Sequence, residues 1–152
     1  TLADALLVHS IMRAAFAGYE RVLVPPSGAT YETVEDVTAA MQQGGAVLAW
    51  VNGDAVGTAR YRLDPDALYV GRVSVLPAFR QQGIGTAIML YAETLAREFG
   101  RNRVRVGVRM SLPQNLTFYQ HLGYSVVDIA DHPREPDRVA TLVKEVDGRN
   151  SL

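Results

Sequence analysis

Arg80-Gln81-Gln82-Gly83-Ile84-Gly85-Thr86 is the segment whose residue types and spacing could do chemistry most directly. Glycine lets backbone N–H groups approach a ligand closely. A helical pattern follows at once, and the start of a helix turns unbonded N–H groups and a positive dipole end toward the same spot. The combination suits a pyrophosphate. Two plainer arrangements use the same letters, a left-handed turn at Gly83 and a simple loop. A dinucleotide-binding Gly-x-Gly-x-x-Gly reading fails because Ile88 stands where the third glycine belongs, and a Walker loop fails because no Gly-Lys-Ser/Thr exists.

Other reactive groups are few. The chain has no cysteine, which excludes thiol catalysis and thiolate metal sites. Its three histidines, His9, His121 and His132, lack a ligand spacing such as His-x-x-x-His, so no metal is expected. Fifteen Lys and Arg against sixteen Asp and Glu give a net charge of −1 and a pI near 6.3, without the basic excess that nucleic acid attracts. Apolar runs such as Ala46 to Val51 fall far short of the ~20 residues of a membrane span, and no signal segment opens the chain. The expectation is a cytoplasmic protein with neither nucleic acid nor membrane as partner. Because the chain does not open with Met, translated sequence upstream of Thr1, an edge strand for instance, is expected as well.

The elements that must carry the Arg80–Thr86 segment can be read from periodicity. Thr1 to Asp4 has the form of a capping box, and Leu2, Leu6, Ile11, Met12 and Phe16 give an apolar face for a helix over about 2–17. Thr30 precedes a second helical pattern at Val34, Val37 and Met41, which Gly44-Gly45 ends. Then the period changes. Ala46 to Val51, Val56 to Leu63 and Leu68 to Val75 read as three strands of an antiparallel meander, turned at Asn52-Gly53 and at Asp64-Pro65-Asp66. Ile84, Ile88, Tyr91, Leu95 and Phe99 recur at steps of four, three, four and four, predicting a helix from Gly83 to Phe99. A strand follows at Val104, Val106 and Val108, then a short helix from Pro113 to His121 or Leu122 and two strands, Tyr124 to Ile129 and Arg138 to Val146. With 48 % hydrophobic residues and no linker or repeat, residues 1–152 read as one α+β domain of order ααβββαβαββ.

Two stretches resemble a known family. Arg80-Gln81-Gln82-Gly83-Ile84-Gly85, preceded by Val75-Leu76-Pro77, is similar to the acyl-CoA signature of the GNAT superfamily of N-acetyltransferases, Arg/Gln-x-x-Gly-x-Gly/Ala after a strand ending in Val-x-Pro. Asn115-Leu116-Thr117-Phe118-Tyr119-Gln120-His121-Leu122-Gly123-Tyr124 is similar to its Phe-Tyr-x-x-x-Gly-Phe/Tyr segment. The order of elements matches too, whereas the first 45 residues resemble the family only in being two helices. The resemblance implies the GNAT acyl-CoA N-acyltransferase fold, a mixed central sheet flanked by helices. In it the family's fourth strand, here the one ending at Val75, is bulged and splays from the fifth to leave a V-shaped cleft. It further implies acetyl-CoA as cosubstrate, held at Arg80, Gln81, Gln82, Gly83, Ile84, Gly85 and Thr86 and by the backbone of Val73 and Val75. The implied reaction is acetyl transfer to a primary amine of a small molecule or peptide. Ordinary strand packing explains the two valines as well, and a homodimer is left open.

Such a reaction needs proton management, since an amine of pKa near 10.4 must lose a proton before attack and a thiolate of pKa near 8.5 must be protonated or stabilised on leaving. Tyr119 is the candidate acid. It shares a helical face with Asn115, four residues before it, while Phe118 and Leu122 form the neighbouring apolar stripe. Family members commonly place a tyrosine here beside the sulfur, and a buried packing tyrosine is the competing explanation. By the resemblance Asn115 is also a candidate contact to CoA, although it departs from the family's spacing, because the asparagine of many relatives stands seven residues before the tyrosine, where this chain has Leu112. No base can be assigned: the stretch Tyr69-Val70-Gly71-Arg72-Val73, where many relatives carry a Glu, has no carboxylate. Water, or Glu20, Glu32 or Glu35 from the first two helices and their connection, are the alternatives. Arg72 reads either as a cross-strand ion-pair partner or as a contact to an anionic part of the acceptor. The Gly18 to Thr30 segment and the two helices flanking it are expected to build the acceptor pocket, and His132 to Pro136 reads as an exposed turn that can border it. Without a strand-borne carboxylate, a non-catalytic acyl-CoA sensor or assembly module stands as the second hypothesis.

Overall fold

The structure, a computed structural model, describes residues 1–17, 32–131 and 138–146. Helix α1 runs Leu2–Phe16 and is capped by the reciprocal bonds of Thr1 and Asp4. Helix α2 runs Val34–Gln43 behind a second capping box, Thr33 with Asp36. The cap is therefore Thr33; Thr30 lies outside the described residues. Strands β1 (Gly45–Val51), β2 (Asp54–Leu63) and β3 (Leu68–Val75) follow. After a short 3-10 turn at Pro77–Phe79 come α3 (Ile84–Glu98), β4 (Arg103–Arg109), α4 (Pro113–His121), β5 (Ser125–Asp131) and β6 (Arg138–Glu145). This is the order that periodicity predicts, with boundaries moved by one or two residues.

The strands form one mixed sheet in the order β1-β2-β3-β4-β6-β5. The β1–β2 and β2–β3 pairs are antiparallel, as hairpins must be, and Asn52 and Gly53 turn the first with φ of 50° and 86°. The β3–β4 pair is parallel, and α3 is the crossover that parallel pairing requires. Helix α3 packs on the face of the sheet that carries Ala59, Leu68, Val70, Val104 and Val106, with Ile88, Met89, Ala92 and Ala96 turned into that core. Helices α1 and α2 close a second cluster around Val8, Met12 and Val37, against Ala46 and Leu48 of β1. Gly57 lets α3 approach, because a Cβ there would meet Ile84 Cγ2 at 3.0 Å and Ile88 Cδ1 at 3.1 Å. Among the described residues no helix is long and apolar enough to cross a membrane.

Two irregularities of β3 shape everything that follows. Its register with β2 passes from Thr58↔Ser74 to Arg60↔Gly71, so β3 spends one more residue than its partner, which is a β-bulge. Arg72, inside it, has φ of 51°. The extra residue reverses the alternation: Leu68 and Val70 pack on the α3 core, and after the bulge Val73 and Val75 do so. Arg72 is thereby moved off the α3 face. The second irregularity is that pairing with β4 stops at Val70↔Val106, although β3 continues to Val75 and β4 to Arg109. The two strands splay from there.

Candidate active site

The splay opens two cavities, of about 530 Å3 and about 420 Å3, that share Phe16, Val73, Asn115 and Tyr119 in their walls. The two cavities therefore adjoin along this shared wall, in which Tyr119 is the residue with an ionisable hydroxyl. Both the bulge and the early end of β3–β4 pairing are needed for this, since a regular ladder would close the gap.

The larger cavity holds most of the segment singled out from the sequence. Arg80, Gln81, Gly83, Ile84, Gly85 and Thr86 line it, together with Val73, Val75 and Asn115. Gln82 is the member of the segment that the lining omits, and its amide donates back to Ala78 O at 3.5 Å. Gln81 and Gly83 are both left-handed, at φ of 64° and 81°. For a residue with a Cβ that costs about 1–2 kcal/mol, and such strain clusters at ligand sites. Gly83 is the N-cap of α3 and offers no side-chain cap, and the first turn holds no acidic residue. Ala87 N is the first to bond back, to Gly83 O at 3.0 Å, so the N–H groups of Ile84, Gly85 and Thr86 have no partner within the helix. At Gly85 a Cβ would stand 3.3 Å from Phe118 Cζ, which places the helix start and α4 on opposite walls of a narrow passage.

Arg80 does something the sequence did not suggest. Its Nη2 donates to Ala15 O at 2.8 Å and its Nε to Val75 O at 3.3 Å, fastening the C-terminal end of α1 to the end of β3. A cation there also complements the α1 dipole. Leu76 N bonds Val56 O, so the neighbouring pair Gly57 and Val75 is of the other kind, with the N–H and C=O of Val75 turned from β2 to the cleft. Val73 has no register partner in β2 or β4. The Val75 carbonyl is taken by Arg80, so the Val75 N–H and the unpaired stretch at Val73 are the backbone edges that a ligand lying in the splay can use.

Tyr119 is 8 % exposed and belongs both to the α3-side core and to the walls of the two cavities. Edge-to-face contacts with Phe118 at 5.0 Å and Tyr124 at 5.8 Å fix its ring. Behind it is a buried polar cluster that sequence reasoning missed. Tyr124 donates its hydroxyl to Glu93 Oε2 at 3.1 Å, and Lys144 Nζ donates to both Glu93 oxygens at 3.1 and 3.2 Å. Burial first, and the charge of Glu93 second, push the Tyr124 hydroxyl well above its ordinary value, which keeps it a neutral donor. A signal existed. Glu93 stands on the apolar face of α3 four residues after Met89, and Lys144 is the only lysine in the chain.

The smaller cavity lies under α1 and α2. Four arginines, Arg60, Arg62, Arg72 and Arg109, are in its wall with Tyr61, Tyr69 and Leu112, and no carboxylate or histidine is among the described lining residues. Glu32 is beside it. Arg60 Nη2 donates to both Glu32 oxygens at 2.8 and 2.9 Å, and Arg72 Nε to Oε1 at 3.1 Å, while His9 Nε2 holds Glu32 O at 2.9 Å. Arg72 is thus an ion-pair partner, though to the residue ahead of α2 rather than across the strands. The cross-strand expectation fails because the bulge turns Arg72 toward the helical layer. Glu35 is exposed on α2. Glu20, the Gly18 to Thr30 segment and His132 to Pro136 lie outside the described residues.

A search of curated proteins gives no match. Solved structures do match. An aminoglycoside 6'-N-acetyltransferase complexed with coenzyme A aligns over 95 % of this chain and 92 % of its own at 15 % identity and a TM-score of 0.75. The ribosomal-protein-S18-alanine N-acetyltransferase of Escherichia coli aligns over 93 % and 92 % at 16 % identity and 0.69. A GNAT family acetyltransferase from Elizabethkingia anophelis with acetyl-CoA bound covers 74 % of this chain and 83 % of its own at 20 % identity and 0.67. At these identities the likeness is one of fold. The family model of the GNAT acetyltransferases, however, matches residues 9–124, a span that includes the second half of α1, the bulged strand, the Arg80–Thr86 turn and Tyr119. The chain therefore belongs to the acetyltransferase (GNAT) family.

Proposed function

We propose that this protein transfers the acetyl group of acetyl-CoA to a primary amine of a small molecule or peptide by direct attack, with Tyr119 protonating the leaving thiolate. The observation that carries this reading is the meeting of two cavities at Tyr119. Support also comes from the coenzyme A and acetyl-CoA held by the matching structures named above. The cosubstrate supplies an acyl group already activated as a thioester. In the larger cavity, the unbonded N–H groups of Ile84, Gly85 and Thr86 and the α3 dipole hold the pyrophosphate. The cleft-facing backbone of Val75 and Val73 aligns the pantetheine arm and offers an N–H to the thioester oxygen as charge develops on it.

In the smaller cavity the amine must reach its neutral form. With no carboxylate among the described lining residues, water takes the proton, and the positive charge of the surrounding arginines disfavours an ammonium there. The C–N bond then forms and the C–S bond breaks. Tyr119 gives its proton to sulfur and regains one, through water, from the attacking nitrogen. Replacing Tyr119 by Phe removes only the hydroxyl, so kcat should fall by about 10²–10⁴ with acetyl-CoA affinity little changed. A kcat within about threefold of wild type, with normal thermal stability, would assign Tyr119 to packing. That no carboxylate is among the described lining residues also favours one other reading, an acyl-CoA sensor that binds without turnover.

A further inference from the structure

In the wall of the smaller cavity Arg60 and Arg72 carry more positive charge than the described residues they bond balance. Arg60 and Arg72 share a single carboxylate, Glu32, and both bond the same oxygen, Oε1. The Arg60 side chain is 13 % exposed, and its Nη1 is buried with no hydrogen-bond partner among the described residues. A guanidinium left half satisfied in a low-dielectric wall is costly to keep. Arg62 is paired with Asp64 at 3.0 Å, and Arg105, which also reaches Asp64 at 3.3 Å, has its shorter pair with Asp66 at 2.7 Å, so the surplus lies with Arg60 and Arg72. A second, independent observation is the backbone of Arg72, a long side chain held at φ of 51° inside a bulge. The bulge is what brings its charge to the same cavity wall as Arg60.

From these observations we infer that the amine acceptor carries a carboxylate, which the Arg60–Arg72 side of the cavity neutralises while the amino group reaches toward Tyr119. This rests on the reading of the smaller cavity as the acceptor site. The planar fork of arginine matches a carboxylate, and about 420 Å3 is near the small end of ligand pockets, the size for an amino-acid-like molecule or one residue of a peptide. Glu32 keeps the two arginines in place. The acceptor anion supplies the charge that Glu32 alone does not.

The test uses calorimetry on the CoA-saturated protein with glycine, β-alanine and 4-aminobutyrate, each against its own carboxamide. The amide keeps size and amine and removes one charge. A peptide amidated at its C-terminus and beginning with Asp or Glu presents the same amine and carboxylate from a polypeptide. At least one acid, free or in the peptide, should bind about tenfold or more tighter than its neutral counterpart, and the preference should shrink as salt is raised. In Arg72→Asn, where asparagine tolerates the positive φ, the preference should fall to about threefold or less with CoA affinity kept. A second variant, Arg60→Gln, guards against a misfolded first one and should weaken the same preference. Amides that bind as well as the acids, or an undiminished preference in both variants, would overturn the inference. Because binding is read without turnover, tight acids with no thiol release would count against the transferase reading and leave this one standing. Brisk acetylation of amides and acids alike would do the reverse.

Discussion

A side chain at Gly85 would have to displace Phe118, since a Cβ there lies 3.3 Å from its Cζ, and a charged one would also stand at the uncapped start of α3. Gly85→Glu should therefore abolish acetyl-CoA binding in calorimetry while the protein stays folded, through bulk and through repulsion of a pyrophosphate. A folded variant with near-unchanged affinity would remove the segment from the cosubstrate site. Tyr124 makes a different kind of prediction. Its hydroxyl titrates above the ordinary value of 10, so between pH 10 and the higher native value the folded chain holds a proton that the unfolded chain has lost. The stability it contributes is complete below pH 10 and declines as pH rises, by up to ~1.4 kcal/mol per pH unit. Urea midpoints measured from pH 9 to 11 should fall more steeply for wild type than for Tyr124→Phe. Parallel curves would show that Tyr124 is not protected. The sequence showed Tyr119, because a motif surrounds it. The pairing of Glu93 with Lys144, the single lysine, is not legible there, because it joins residues 51 apart that only folding brings together.

At the level of elements the bulged β3 decides the site. Its pattern was partly readable: apolar positions are even at Leu68 and Val70 and odd at Val73 and Val75, which is the mark of one extra residue. Alternation alone reads the stretch as a plain strand, and the bulge and splay were expected only through the family resemblance. The partner of Arg72 was beyond reach for another reason, since Glu32 arrives from a loop forty residues earlier. Where β3 and β4 no longer pair, backbone groups on their facing edges are protected only if something lies between them. Saturating acetyl-CoA should slow amide exchange at Val73 and Val75 by about tenfold or more, and leave the β1–β2 hairpin at Asn52-Gly53 nearly unchanged. Equal exchange with and without ligand would mean that the cosubstrate does not occupy the splay.

At the scale of the whole molecule, the sheet has one half-joint, the three residue pairs of β3 and β4, with a separate hydrophobic cluster under α1 and α2. We propose that residues 1–152 nevertheless unfold as one unit, because β1 packs toward both clusters and Arg80 ties α1 to β3. Scanning calorimetry should give a single transition with equal calorimetric and van't Hoff enthalpies, and two resolved transitions would contradict that. Ligand spanning the splay should raise the midpoint, by ~2.7 kcal/mol of stabilisation at a hundredfold excess over Kd. The most direct measurement is thiol release from acetyl-CoA across a panel of primary amines, neutral and carboxylate-bearing. Turnover with at least one amine, falling about 10²–10⁴-fold in Tyr119→Phe, is the expected result; saturable acetyl-CoA binding with no thiol released above the solvent rate for any amine would contradict it and leave a sensor in its place.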